Sequence, residues 1–149
     1  EWMRASASIP IASRPVKLGG KRLLDGGVSD PIPVKWMLSR GYEKNVVVLT
    51  RDVKYRKKAN PKMQLFLKAV LHKYPAFLKD LEERHIHYNE TLEELSALEK
   101  EGRVHIIRPS SPIQAAMIER DESNLERIYQ TGRADMKKDL EKLKAYLDS

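Results

Sequence analysis

VKWMLSRGYEKNVVVLT, residues 34 to 50, holds two periodicities within one short span. Val34 to Arg40 repeats at helical spacing, and Gly41 stands where a helix C-terminus turns into the left-handed region. NVVVLT (45–50) is a continuous apolar run of strand length, which predicts a strand buried on both faces. A helix that leads into such a strand belongs to an α/β protein rather than to a helical bundle or an antiparallel meander.

The alternation continues C-terminally. Met63, Leu67, Val70, Leu71, Tyr74, Leu78 and Leu81 recur at three- and four-residue steps, which predicts one helical face bent at Pro75. A second, acidic helix is expected over 88–101 and is stopped by Gly102; VHII (104–107) then reads as a short buried strand. The C-terminus reads as two helices separated at Gly132. The expected fold class is therefore α/β, with a mostly parallel sheet and covering helices. Two or three strands are few for such a sheet, so further strands are expected before Glu1, and the chain is read as a fragment.

N-terminal to the opening stretch, residues 1–8 read as the end of a helix broken at Ile9-Pro10. RPVKL (14–18) and KRLLD (21–25) flank Gly19-Gly20, the pair a two-residue hairpin turn requires. Asp25 therefore lies at a strand exit, where apolar burial would otherwise continue, with Gly26 and Gly27 behind it to let the backbone turn and another group approach.

ASASIP (5–10), the hairpin and LLDGGVSDPIPV (23–34) together resemble the C-terminal part of the patatin-like phospholipase family. The motif-level likeness runs from about residue 5 to residue 50, and VHIIRPS (104–110) with the later helices resembles bacterial members more weakly. The resemblance implies a three-layer fold, of which residues 1–60 carry the hairpin and core strand and residues 61–149 a mainly helical region. It also implies a Ser-Asp dyad in which Asp25 is the acid, Gly26 and Gly27 complete its motif, and Asp30 is a second candidate. Ser8 departs from the alanine common in the family. A larger departure is that no serine here sits in G-x-S-x-G, and no glycine-rich oxyanion loop is present. The resemblance thus implies an esterase acting on acyl lipids whose nucleophile is supplied by an upstream segment, so that the isolated chain is inactive.

Charge offers the rival reading. The 149 residues carry a net charge of +7, which favours anionic partners. RDVKYRKKANPK (51–62) holds six basic residues and one acid, making Arg51, Lys54, Arg56, Lys57 and Lys58 candidates for an anionic surface. Nucleic acid is disfavoured, because Tyr55 is the only aromatic in that cluster. The alternative function is a non-catalytic basic module on a membrane or nucleic acid.

The chain contains no cysteine, which removes disulfides, thiolate metal sites and cysteine nucleophiles together. His85 and His87 lie two apart and diverge on a helix, so no metal site is expected, and no cofactor. His72 and His105 have no partner legible in sequence. Trp2, Trp36, Met37 and the Met63–Leu81 stripe read as core before they read as an acyl-chain pocket. No apolar run is long enough to span a bilayer, and a cytoplasmic location, peripheral to membrane or not, is expected.

Overall fold

The structure, a computed structural model, describes residues 1–116 and 119–149. It contains α1 (Trp2–Ser6), β1 (Val16–Leu18), β2 (Lys21–Leu23), α2 (Val34–Ser39), β3 (Asn45–Val48), α3 (Pro61–Leu71), α4 (Pro75–Lys100), β4 (Val104–Ile107) and α5 (Glu122–Asp148). The strands make two separate two-stranded sheets, so the chain is a mixed α/β protein. Two compact units divide it. The first comprises Glu1–Pro33 and Lys57–Thr91, the second Val34–Arg56 and Leu92–Ser149.

In the first unit, β1 and β2 pair antiparallel, with Val16 opposite Leu23 and Leu18 opposite Lys21. Gly19 and Gly20 have φ of 57° and 75°, as a primed hairpin turn demands. Val16 faces inward, and Ala5 of α1 is buried in the same unit. The expected bent helix is instead two helices. Pro75 lacks an N–H and restricts Tyr74 before it, so it opens α4 at the first helical position, where no donor is needed. Asn60 caps α3 by accepting from the Met63 amide at 3.1 Å, with Pro61 as its first residue. Leu71 is buried, whereas Met63 and Val70 of the same stripe are exposed.

In the second unit, β3 and β4 run parallel, with Asn45 opposite Val104 and Val48 opposite Ile107. The end of α4, through buried Leu95 and Leu98, leads into buried Val104 and Ile106 of β4. The turn between them is a Schellman closure: Arg103 N–H reaches the Leu98 carbonyl at 3.0 Å and Gly102 N–H the Glu99 carbonyl at 3.1 Å. Gly102 takes φ 72° and Gly41, after α2, φ 85°. The expected separate acidic helix is thus the second half of α4.

Two expectations fail here. NVVVLT is not buried on both faces: Asn45 and Leu49 are interior, but Val46 and Val48 are 41% and 69% exposed. Alternate residues of a strand face opposite sides, and in a two-stranded sheet one side is left largely uncovered. Nor does Gly132 divide the C-terminus, because α5 is continuous from Glu122 to Asp148. A mid-helix glycine costs about 1 kcal/mol relative to alanine. That is too little to stop a helix of 27 residues started by the Asp121 side chain, which accepts from the Ser123 amide.

Tyr146 of α5 ties that helix to the strand entries. Its hydroxyl accepts from the Asn45 amide at 2.8 Å and lies 3.0 Å from the Arg103 carbonyl, to which it can donate. We expect Tyr146→Phe to lower the unfolding free energy by about 1–2 kcal/mol, since it strips a part-buried donor and acceptor of one partner. Denaturant unfolding reads this, and a change below a few tenths would show that the hydroxyl does not hold α5.

Candidate functional site

The candidate acid is built by backbone bonds. Past the end of β2, the Asp25 amide donates to the Ser8 carbonyl at 2.9 Å, so the segment after α1 fixes where the hairpin exits. One carboxylate oxygen, Oδ1, accepts from the Gly27 amide at 2.8 Å, an Asx turn. The Val28 amide donates to the Asp25 carbonyl at 3.2 Å and the Asp30 amide to the Gly26 carbonyl at 2.9 Å, closing the loop. Val28 is buried and Asp25 half-buried. The second carboxylate oxygen of Asp25 has no hydrogen-bond partner among the described residues.

The two glycines differ. Neither has positive φ. A Cβ on Gly26 would meet the Ser6 hydroxyl at 3.7 Å, an ordinary contact, whereas one on Gly27 would lie 3.1 Å from Asp25 Oδ1. Gly27 is therefore favoured by close approach of the carboxylate, not by left-handed backbone. Its carbonyl in turn accepts from Nε of Arg84, in α4, at 2.8 Å.

No serine hydrogen-bonds to the Asp25 carboxylate among the described residues. The Ser8 hydroxyl is buried and donates to the Arg4 carbonyl at 2.7 Å, which satisfies the polar group where alanine was expected. Asp30 is exposed. Asp25 follows an antiparallel hairpin, so the rule placing sites at the carboxyl ends of parallel strands does not locate it. That rule points to a different place. Beyond β3 and β4 a cleft of about 340 Å³ is lined by Val48, Ile107, Ile113, Ile128 and Met136, with Arg108 and Asp135 at its edge. The Ser110 amide beside Asp135 holds that carboxyl below its ordinary value.

The basic segment is shared between the units. In the second, the Arg51 guanidinium lies over the Tyr55 ring at 5.1 Å and Arg56 donates to the Val53 and Tyr55 carbonyls, while Lys54 is exposed. In the first, the Asn89 side chain accepts from the Lys57 amide at 2.9 Å and donates to the Lys57 carbonyl at 3.0 Å. Lys58 is exposed.

His85 and His87 take separate partners: Nδ1 of His85 faces the Glu82 carbonyl, and His87 sits between Glu90 and Glu83 at 3.2 and 3.5 Å. The Glu90 hydrogen bond chiefly, with Glu83, raises the His87 imidazole above its usual value. No cluster of three or more metal-ligating side chains is found among the described residues. No helix among them is long and apolar enough to cross a membrane. Trp2 and Trp36 are not core residues; they are 72% and 54% exposed, with Arg40 over the Trp36 ring at 5.2 Å.

Two long-range partnerships escaped the sequence. Arg84 sits in the run EERHIH and gives no local sign that it reaches a loop 57 residues earlier. His105 does have a partner: Nε2 is 2.5 Å from Asp139 Oδ2, and its ring lies 5.5 Å from that of Tyr146. A histidine alternating with valine and isoleucine in a strand was the available hint.

Known families cover two parts of the chain. The patatin-like phospholipase model matches residues 1–38, which contain the hairpin and the Asp25 loop. The model of a domain of unknown function, DUF6363, matches residues 74–148, half of the chain, from the entry of α4 through α5. No curated protein and no solved structure matches the chain. The patatin-like match thus stops at residue 38, short of β3 and of the C-terminal helices.

If close approach is what Gly27 provides, Gly27→Ala should destabilise by about 1–2 kcal/mol while Gly26→Ala stays within about 0.5 kcal/mol. Paired thermal melts decide it, and equal effects would contradict the distinction.

Proposed function

The chain belongs to the family of the domain of unknown function DUF6363, and from the patatin-like match over residues 1–38 we propose that it carries the acid of a patatin-like serine hydrolase acting on carboxylic esters of lipids. The observation that carries this reading is the Asp25 carboxylate: one oxygen is fixed by the Gly27 amide and the other has no hydrogen-bond partner among the described residues, within the segment matched by the patatin-like phospholipase model.

In this reading the serine and the oxyanion donors come from protein beyond these residues, and the 149-residue chain alone is inactive. The free oxygen of Asp25 accepts the serine proton as the hydroxyl oxygen attacks the ester carbonyl. The acyl C–O bond to the leaving oxygen breaks as Asp25 returns the proton to it, the alcohol departs and an acyl-serine remains; water then gives a proton to the same carboxylate as it attacks, and that proton passes to serine as the carboxylic acid is released. No cofactor takes part. The parallel pair β3–β4 is then part of the larger sheet of a three-layer fold, and residues 1–149 form the C-terminal part of that one domain.

A second reading is favoured by the net charge of +7 and the basic segment: a non-catalytic module in which Arg51, Lys54, Arg56, Lys57 and Lys58 meet an anionic membrane or nucleic acid. A hydrolase working at the cytoplasmic face of a membrane would use the same charges to approach its lipid.

Asp25→Asn in the full-length protein separates the two. Loss of about 10²–10⁴-fold in kcat/KM for a short-chain ester is expected of a general base. Hydrolysis at the parental rate would remove Asp25 from the mechanism.

A further inference from the structure

Arg84, which bonds the Asp25 loop, also borders a second feature of the first unit that the hydrolase reading does not use. A cleft of about 150 Å³ is bounded by the segment Lys57–Asn60, the first turns of α3, and Leu81, Arg84 and His85 of α4. Four of its lining residues are basic or can become so, and no aspartate or glutamate lines it among the described residues. In a chain with 21 acids against 28 lysines and arginines, a hollow with cations only is a local choice, not a reflection of composition.

The cations are held in place. Asn89 clamps both backbone groups of Lys57, which fixes the strip that carries Lys58, and the Lys57 ammonium lies 5.5 Å over the Tyr88 ring. Arg84 is half-buried and spends Nε on the Gly27 carbonyl, and no carboxylate pairs with its guanidinium or with Lys58 among the described residues. A part-buried cation with no ion pair of its own gains from an anion that reaches it. The α3 N-terminus, through Asn60, Met63 and Gln64, opens on the same cleft and adds its positive end. Nδ1 of His85 is taken by the Glu82 carbonyl, and the residue lines the cleft.

We propose that this cleft is a phosphate-binding site, taking the phosphoryl group of a small phosphorylated molecule or of a lipid headgroup. Its volume equals about five waters, room for a tetrahedral phosphate with a short arm along Met63, Leu67 and Leu81. Spread donors from lysine and arginine suit phosphate oxygens arranged in a tetrahedron. Arg84 also couples the site to the acid: an anion that draws the guanidinium into the cleft acts on the hydrogen bond that holds Gly27. The site stands apart from the hydrolase reading, since it needs neither a serine nor a turnover.

Titration of the 149-residue chain with inorganic phosphate, glycerol 3-phosphate and dihexanoyl phosphatidic acid, followed by amide NMR, tests it. Saturable shifts are expected at Lys57, Lys58 and Ala59 and at Gly27. Lys58→Ala should weaken phosphate binding by about fivefold, while Lys73→Ala, which removes the same charge outside the cleft, should change it less than about twofold. Tighter binding of phosphatidic acid than of glycerol 3-phosphate assigns the site to lipid, and equal binding assigns it to a soluble phosphate compound. Absence of saturation, or equal weakening by Lys58→Ala and Lys73→Ala, would overturn the proposal.

Discussion

The hydrogen bond from Arg84 Nε to the Gly27 carbonyl joins the two regions of this chain that carry separate family matches. The Asp25 loop lies in the patatin-like segment, and Arg84 lies in α4, within the domain of unknown function. The loop after this three-residue strand buries Val28 but leaves Gly26, Ser29 and Asp30 exposed. Its position therefore rests also on hydrogen bonds: the Asp25 amide to the Ser8 carbonyl, the Gly27 amide to the Asp25 carboxylate, the Val28 amide to the Asp25 carbonyl, the Asp30 amide to the Gly26 carbonyl, and Arg84 to the Gly27 carbonyl. The first four are made within the N-terminal segment, and the last reaches beyond it. A helix of a family without assigned function thus acquires a physical task, to brace the acid's loop.

The same logic, a long helix anchoring a short strand, governs the second unit. Strands of four residues gain little from their own pairing, and α5 supplies what they lack through Tyr146 on Asn45 and Arg103 and through Asp139 on His105. No residue of α5 is fully buried, so polar contacts take a large share of its attachment. Both units thus place their specific polar bonds where the apolar core is thinnest.

Local chemistry was legible in the sequence and remote partnership was not. Gly19-Gly20 and Gly41 announced turns and Gly102 a helix stop, and each takes positive φ, because a turn is decided by the residues that make it. Asp25 at a strand exit was legible for the same reason. Pro75 and Gly132 misled because a breaker's effect depends on context: proline suits a helix start, and one glycine is outweighed by a capped helix. The valines of NVVVLT indicated a strand but not which of its faces would be covered, since that depends on how many strands lie beside it. Arg84 and His105 were invisible as functional partners, for the reach of a side chain to a loop or helix tens of residues away leaves no periodic trace.

Exchange of the Arg84 Nε proton, followed by NMR at neutral pH in the 149-residue chain, tests the brace most directly. If Arg84 holds the Gly27 carbonyl, that proton should exchange at least about tenfold more slowly than the Nε proton of exposed Arg14, as a protected hydrogen bond does. Exchange at the rate of Arg14 would mean that α4 does not secure the acid's loop.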